Sequence, residues 1–288
     1  MAPTSASSGD RPPVAAGSRT VTLWHRLLAA IALLNLILWF CAAAAVVPAW
    51  MPGDVAADAA CRLQLVLSAG YVFGCAFRSV LPVYDIPRIV LVDSPWSGVM
   101  VGRSVATLAE LCFAAQWALI LHRLSVLGGS PIGQIASQAI VPLIVIAEIC
   151  SWYAVLTTAQ RGHVFENSLW GLSAALVIAN MLAIGPHRLV ALYPPMIAWC
   201  VGGVAYVLFM FVFDVPMYWS RWRADQASGR RYLSVIQGLA DVRRRRVVSA
   251  RWEDWRTEVS WMTLYFTLGV WSSVSLVYAC LALGAQQR

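Results

Sequence analysis

The chain has 288 residues, 60% of them hydrophobic and only 12% charged, with a net charge of +7 and a mean hydropathy of +0.68. A soluble domain is about 45–50% apolar and about 25% charged, so the composition excludes a soluble globular protein and specifies an all-α polytopic membrane protein. Every one of the 21 basic residues is Arg, and the lack of Lys excludes any Schiff-base mechanism, including a retinal protein.

Residues 1–20 are rich in Ser, Ala, Pro and Gly and read as a disordered tail. The first apolar run, Val21–Trp50, is too long for a cleavable signal, and Pro48–Pro52 is a poor cleavage site. Arg62–Leu81 is the second span. Residues 82–96 hold three Pro with Asp85, Arg88 and Asp93, which predicts an extended or interfacial segment. Gly98–Leu121, Gly133–Thr157, Ser168–Gly185 and Leu192–Trp219 follow as spans three to six. Each has about the 20 apolar residues a membrane helix needs, and the fifth is the shortest. Pro194, Pro195 and Pro216 bracket the sixth, so a kink is expected there. Residues 21–221 thus hold six spans, residues 222–258 form an Arg- and Trp-rich loop, and residues 259–288 hold the seventh span, Val259–Leu283, with a short tail. No internal repeat is visible.

In the loop, Tyr232, Leu233, Val235, Ile236, Leu239 and Val242 recur at roughly helical spacing ahead of Arg243, Arg244, Arg245 and Arg246. This predicts an amphipathic helix in the membrane interface. The four Arg would meet anionic headgroups, and Trp252 and Trp255 would anchor beside them. Nucleic acid is not an expected partner.

With the N-terminus inside, 17 Arg fall on the inner side and four (Arg62, Arg123, Arg188, Arg288) outside. That asymmetry follows the positive-inside rule of a bacterial inner membrane and places the C-terminus outside. Trp24, Trp96, Trp170, Trp219, Trp222 and Trp261 fall at the inner boundary and Trp50 at the outer, as an aromatic belt.

Ionisable side chains inside spans are costly and mark function by default. Arg103, Thr107 and Glu110 share one face of the third span, with Glu148 in the fourth and Asp214 in the sixth. Depth matching predicts two pairs, Arg103 with Asp214 and Glu110 with Glu148. The second would share a proton or hold a cation. Interhelical glue is the competing role for such groups, as for Asn35, Gln116, Gln134, Gln138 and Asn180.

A separate constellation lies at the inner boundary. His163 and Glu166, three residues apart, would share a helix face and bind a metal or act as catalytic base and partner, with Arg78, Arg88, Arg103, Arg221 and Arg223 in a charged inner vestibule. Two His per leaflet (His25 and His163, His122 and His187) match a two-haem cytochrome only on paper, because all four sit at span ends. No metal-ligand motif is present, and the cofactor is unspecified. The seven Cys form no CxxC pair, and Cys61 is expected near Cys41, Cys200 or Cys280.

Three functions remain open. The first is transport of a small solute or ion, coupled to protons. The second is a membrane enzyme acting on lipid or isoprenoid headgroups at the cytoplasmic face, and the third a non-catalytic subunit or assembly factor. Homo- or hetero-oligomers are compatible with each.

Overall fold

The computed structural model describes residues 14–46, 58–184 and 193–286. Among these, seven helices are long and apolar enough to cross a membrane, as an integral membrane protein requires. The first five are α1 (Val14–Val46), α2 (Asp58–Val80), α3 (Val99–Leu127), α4 (Pro131–Thr157) and α5 (Arg161–Ile184). The sixth joins α6 (Tyr193–Phe209) to α7 (Val215–Ala227) through a π-helical turn at Met210–Asp214. The seventh joins α10 (Val259–Leu264) to α11 (Val270–Gln286) through a π-helical turn at Tyr265–Gly269. Between them lie α8 (Val235–Arg244) and the single turn α9 (Trp252–Trp255). Residues 14–20, expected in the tail, form the first turns of α1. Trp50, His187, Arg188, Arg288 and the Pro48–Pro52 stretch lie outside the described residues.

The seven spans agree with the apolar runs, and their ends differ where polar residues continue a helix. α5 begins at Arg161 rather than near Ser168, so His163, Glu166 and Asn167 are helical and not loop residues. The sixth span runs on to Ala227, and its expected irregularity falls at the π turn just ahead of Pro216, whose ring supplies no N–H to the ladder.

α2 packs between α1 and α3 and also lies against α11, while α4 is flanked by α3 and α5. Gly70 and Gly74 let α3 approach α2 closely. A Cβ built on Gly70 would stand 2.6 Å from Cys112 Sγ, and one on Gly74 2.8 Å from Ala109 Cβ. Small residues four apart are the usual way for membrane helices to come into backbone contact. Asn35 and Gln116 act as the polar glue expected of them. Asn35 Nδ2 donates to the Phe266 carbonyl in the second π turn at 2.7 Å. Gln116 Nε2 donates to the carbonyls of Gln64 and Ser273 at 3.2 Å. Asn180 instead bonds within its own helix, to Leu176, and Gln138 is exposed.

Three two-residue strands lie at one end of this all-α bundle. They are β1 (Val83–Tyr84), β2 (Ile89–Val90) and β3 (Val247–Val248). β1 pairs antiparallel with β2, with Val83 opposite Val90, and β2 pairs parallel with β3, with Ile89 opposite Val247. Pro82 and Pro87 favour the extended backbone this needs. Arg88, 2% exposed, locks the segment in place. Its guanidinium donates to Asp241 (3.1 Å), to the Asp85 carbonyl (2.7 Å) and to the Val155 carbonyl at the end of α4 (2.6 Å).

The amphipathic helix of the loop exists as α8, capped by a reciprocal Ser234–Gln237 box. It does not lie free in the interface. Gly238 rides directly on α4, where an added Cβ would stand 2.0 Å from the Leu156 carbonyl. Val242 is buried with Val83, Val90, Val99 and Val155. Val235 and Ile236 remain exposed.

Candidate functional site

α3 presents Arg103, Thr107 and Glu110 one above another along a single face. At about 1.5 Å per residue, Arg103 lies about 6 Å and Glu110 about 16 Å along the helix from its start. The face meets Glu148 of α4, Glu166 of α5 and Tyr265 of the second π turn.

One nitrogen organises the group. Arg103 Nη2 lies 2.6 Å from Glu148 Oε2, 3.3 Å from Glu110 Oε2 and 3.5 Å from Glu166 Oε1. Thr107 Oγ1 donates to the same Glu148 oxygen at 2.6 Å and accepts from Trp152 Nε1 at 3.0 Å. Tyr265 Oη donates to Glu110 Oε1 at 3.0 Å. Glu166 uses its other oxygen on His163 Nδ1, 2.7 Å away. The side chains of Arg103, Glu110, Glu148 and Glu166 are 4–10% exposed and that of His163 is 15% exposed, so His163 is the most open of these five. Two buried atoms, Glu148 Oε1 and Arg103 Nε, have no hydrogen-bond partner among the described residues.

The two constellations of the sequence are therefore one site. Glu110 and Glu148 come together as expected, but with Arg103 between them. The expected Arg103–Asp214 bridge does not form, because Arg103 is turned into the carboxylates of α3, α4 and α5. Asp214, at the end of the first π turn, accepts from Asn167 Nδ2 at 2.5 Å instead. It stands near His163, over which the Tyr218 ring lies at 5.0 Å. Sequence alone does not mark Tyr265, because an aromatic in an apolar span reads as core; it opens the second π turn with its hydroxyl on Glu110.

Oxygens of Glu110, Glu148 and Glu166 lie within 4.8 Å of one another, a spacing a metal ion could bridge. The Arg103 guanidinium already occupies that focus, and its positive charge opposes tight binding of a metal ion there. Of the four His, His187 lies outside the described residues, and each of the other three faces a group other than a His: His25 Nε2 the Val80 carbonyl, His122 Nδ1 Ser137 Oγ, and His163 Nδ1 Glu166.

The lipid-facing set divides. Arg243 and Arg244 are exposed, Arg245 reaches Asp241 at 3.7 Å and Arg246 pairs with Asp93 at 2.7 Å. Trp252 is half-buried. Trp255 cannot meet headgroups, since it is 0% exposed. Its indole donates to the Ser249 carbonyl and its ring lies against Trp24 at 5.6 Å. Beside this cap, Glu258 sits near Asp85, and burial together with that charge pushes its carboxyl above the ordinary range, against the opposing pull of Arg221 and Arg78.

No protein-family model, no curated protein and no solved structure matches the chain. The functional reading rests on the geometry of this site.

Proposed function

We propose that the chain is a proton-coupled membrane transporter of a small solute or ion, and that Glu110, Glu148, Glu166 and His163 carry the coupling protons around the fixed charge of Arg103. The single observation behind this reading is three carboxyl groups sharing one guanidinium in a buried space. If all three were ionised beside one Arg, the cluster would hold two uncompensated negative charges. Carboxylates this close, in low dielectric, cannot all stay charged, so protons must occupy some of them. His163 connects this store to the end of the bundle, with Asp214 and Asn167 beside it. The headgroup-enzyme reading needs His163 and Glu166 presented to a surface ligand, whereas Glu166 is turned inward to Arg103. The Arg distribution supports a bacterial-type inner membrane with the N-terminus and the Arg-rich cap in the cytoplasm. Exposed Arg243 and Arg244, beside Ile236, would then meet anionic lipid.

The test uses purified protein in vesicles enclosing a pH-sensitive dye, with an imposed pH gradient. Glu110→Gln and Glu148→Gln should each slow proton entry about 100-fold, the scale of losing a proton-transfer group, while eluting as folded protein. Wild-type rates in both variants would refute the proposal.

A further inference from the structure

The second and seventh spans are five crossings apart, so α2 and α11 run antiparallel where they pack. Ser68 and Ser273 fix their register, with the two hydroxyl oxygens 3.1 Å apart. Seven residues before Ser68 stands Cys61, and seven residues after Ser273 stands Cys280. Seven residues are two helical turns, which return a side chain to the same face about 10 Å along the axis. In antiparallel helices the two steps lead the same way, so the cysteines form a facing pair beyond the serines.

A third helix marks the same spot. Arg123 of α3 has Nη1 2.9 Å from Cys280 Sγ and 4.0 Å from Cys61 Sγ, so one nitrogen reaches both sulfurs. The structure carries both residues as thiols, in one apolar cluster and at most 2% exposed. Cys61 is in the first turn of α2 and Cys280 in the last two turns of α11. The pair therefore lies at the end of the bundle away from the strands and α8. With the Arg-rich cap in the cytoplasm, this is the outer end, and outside a bacterial inner membrane thiols are kept oxidised.

We infer that Cys61 and Cys280 are a site of oxidation to a disulfide, which staples the outer ends of the second and seventh spans beside Arg123. The inference owes nothing to the proton-coupled reading and takes only the orientation from the Arg distribution. The oxidant is an external disulfide, R–S–S–R. One cysteine sulfur attacks it, forming a mixed disulfide and releasing one R–SH with the proton the cysteine gives up. The second cysteine sulfur then attacks the first, its proton leaving with the second R–SH. Two protein thiols lose two electrons and two protons, and the external disulfide gains them. Because both sulfurs are buried once packed, exchange belongs to the stage before the span ends close, and the finished bond is shielded from reductants. Rotation about χ1 between staggered wells brings the sulfurs together without moving either helix. The bond closes a loop that contains spans three to six, and cross-links over long loops constrain the unfolded chain most.

The test counts reactive thiols in the full chain, expressed in bacteria and quenched with acid before membranes are denatured. Each of the seven Cys takes one maleimide tag when it is a thiol. The wild type should take five tags without dithiothreitol and seven after it. Peptide mapping should find Cys61 and Cys280 as the two untagged residues, so the result does not depend on any variant folding. Cys61→Ser and Cys280→Ser should each take six tags either way. Cys200→Ser should take four and then six. Seven tags without reductant would overturn the proposal and leave the pair as small apolar filler. Purified, reduced protein treated with oxidised glutathione then separates two causes. Five tags after that treatment would mean that the pair faces a reducing compartment, which overturns the orientation as well. Seven tags again would mean that the two sulfurs do not meet. Untagged Cys61 with a partner other than Cys280 would overturn the pairing outright.

Discussion

Glu148 Oε2 lies 2.6 Å from Arg103 Nη2, a charge-assisted bond that ties α4 to α3 inside the bundle. Removing one partner of a buried ion pair is far costlier than the pair's net contribution, because the other charge is left without compensation. Here the survivors would be three carboxyl groups.

Arg103→Met should therefore destabilise the protein by about 3–5 kcal/mol, read as a large drop in melting temperature in detergent. Arg103→Lys should rescue only part of the loss, since an ammonium cannot reproduce the planar guanidinium. Unchanged melting in Arg103→Met would show that the carboxyl groups do not depend on the guanidinium.

Tyr265→Phe removes one hydrogen bond to Glu110 and little packing. The expected cost is about 1 kcal/mol of stability, small beside that of Arg103→Met. A loss as large as that of the Arg variant would mean that Tyr265 supports the π turn itself.

The docked cap offers a separate test. Gly238→Ala puts a methyl group where the Leu156 carbonyl stands, a clash of the overpacking kind that costs about 1–3 kcal/mol. Limited proteolysis should then cut between α7 and α10 faster than in wild type, with the spans intact. Equal cleavage rates would mean that α8 is not seated on α4 at Gly238.

Glu258 gives a pH dependence with a definite sign. Its carboxyl is pushed above the ordinary value of 4.5 in the folded protein, first by burial and then by Asp85. Between the unfolded and folded values the native state holds more protons, so this contribution to stability is full below the unfolded value and is lost as pH rises through the folded one. Glu258→Gln should flatten that decline in melting temperature between mildly acid and neutral pH. Parallel curves for the two proteins would remove Glu258 as its source.

The spans were legible because bilayer thickness dictates a run of apolar residues that few other constraints imitate. Arg103, Glu110 and Glu148 were legible for the complementary reason, that charge inside such a run is costly. What hydropathy concealed was the start of α5. Arg161, His163, Glu166 and Asn167 look like a loop because they are polar, yet they are helical, and Glu166 and His163 complete the buried cluster. The pairing of Arg103 also escaped, since depth alone cannot show which way a long side chain turns. Tyr265 escaped because a Tyr within an apolar helix carries no charge to mark it, and contact across helices decides its role. The burial of Trp255 was concealed in the same way: its indole looks equally suited to a headgroup and to Trp24.

The central claim, that the cluster stores exchangeable protons, is tested most directly by infrared difference spectroscopy of the reconstituted protein during a pH step, because a protonated carboxyl group has a C=O stretch that a carboxylate lacks. The account predicts a buried carboxylic-acid band at neutral pH that shifts in heavy water, changes with the pH step, and is altered in Glu110→Gln and Glu148→Gln. A spectrum with no such band, or a band untouched by both substitutions, would contradict it.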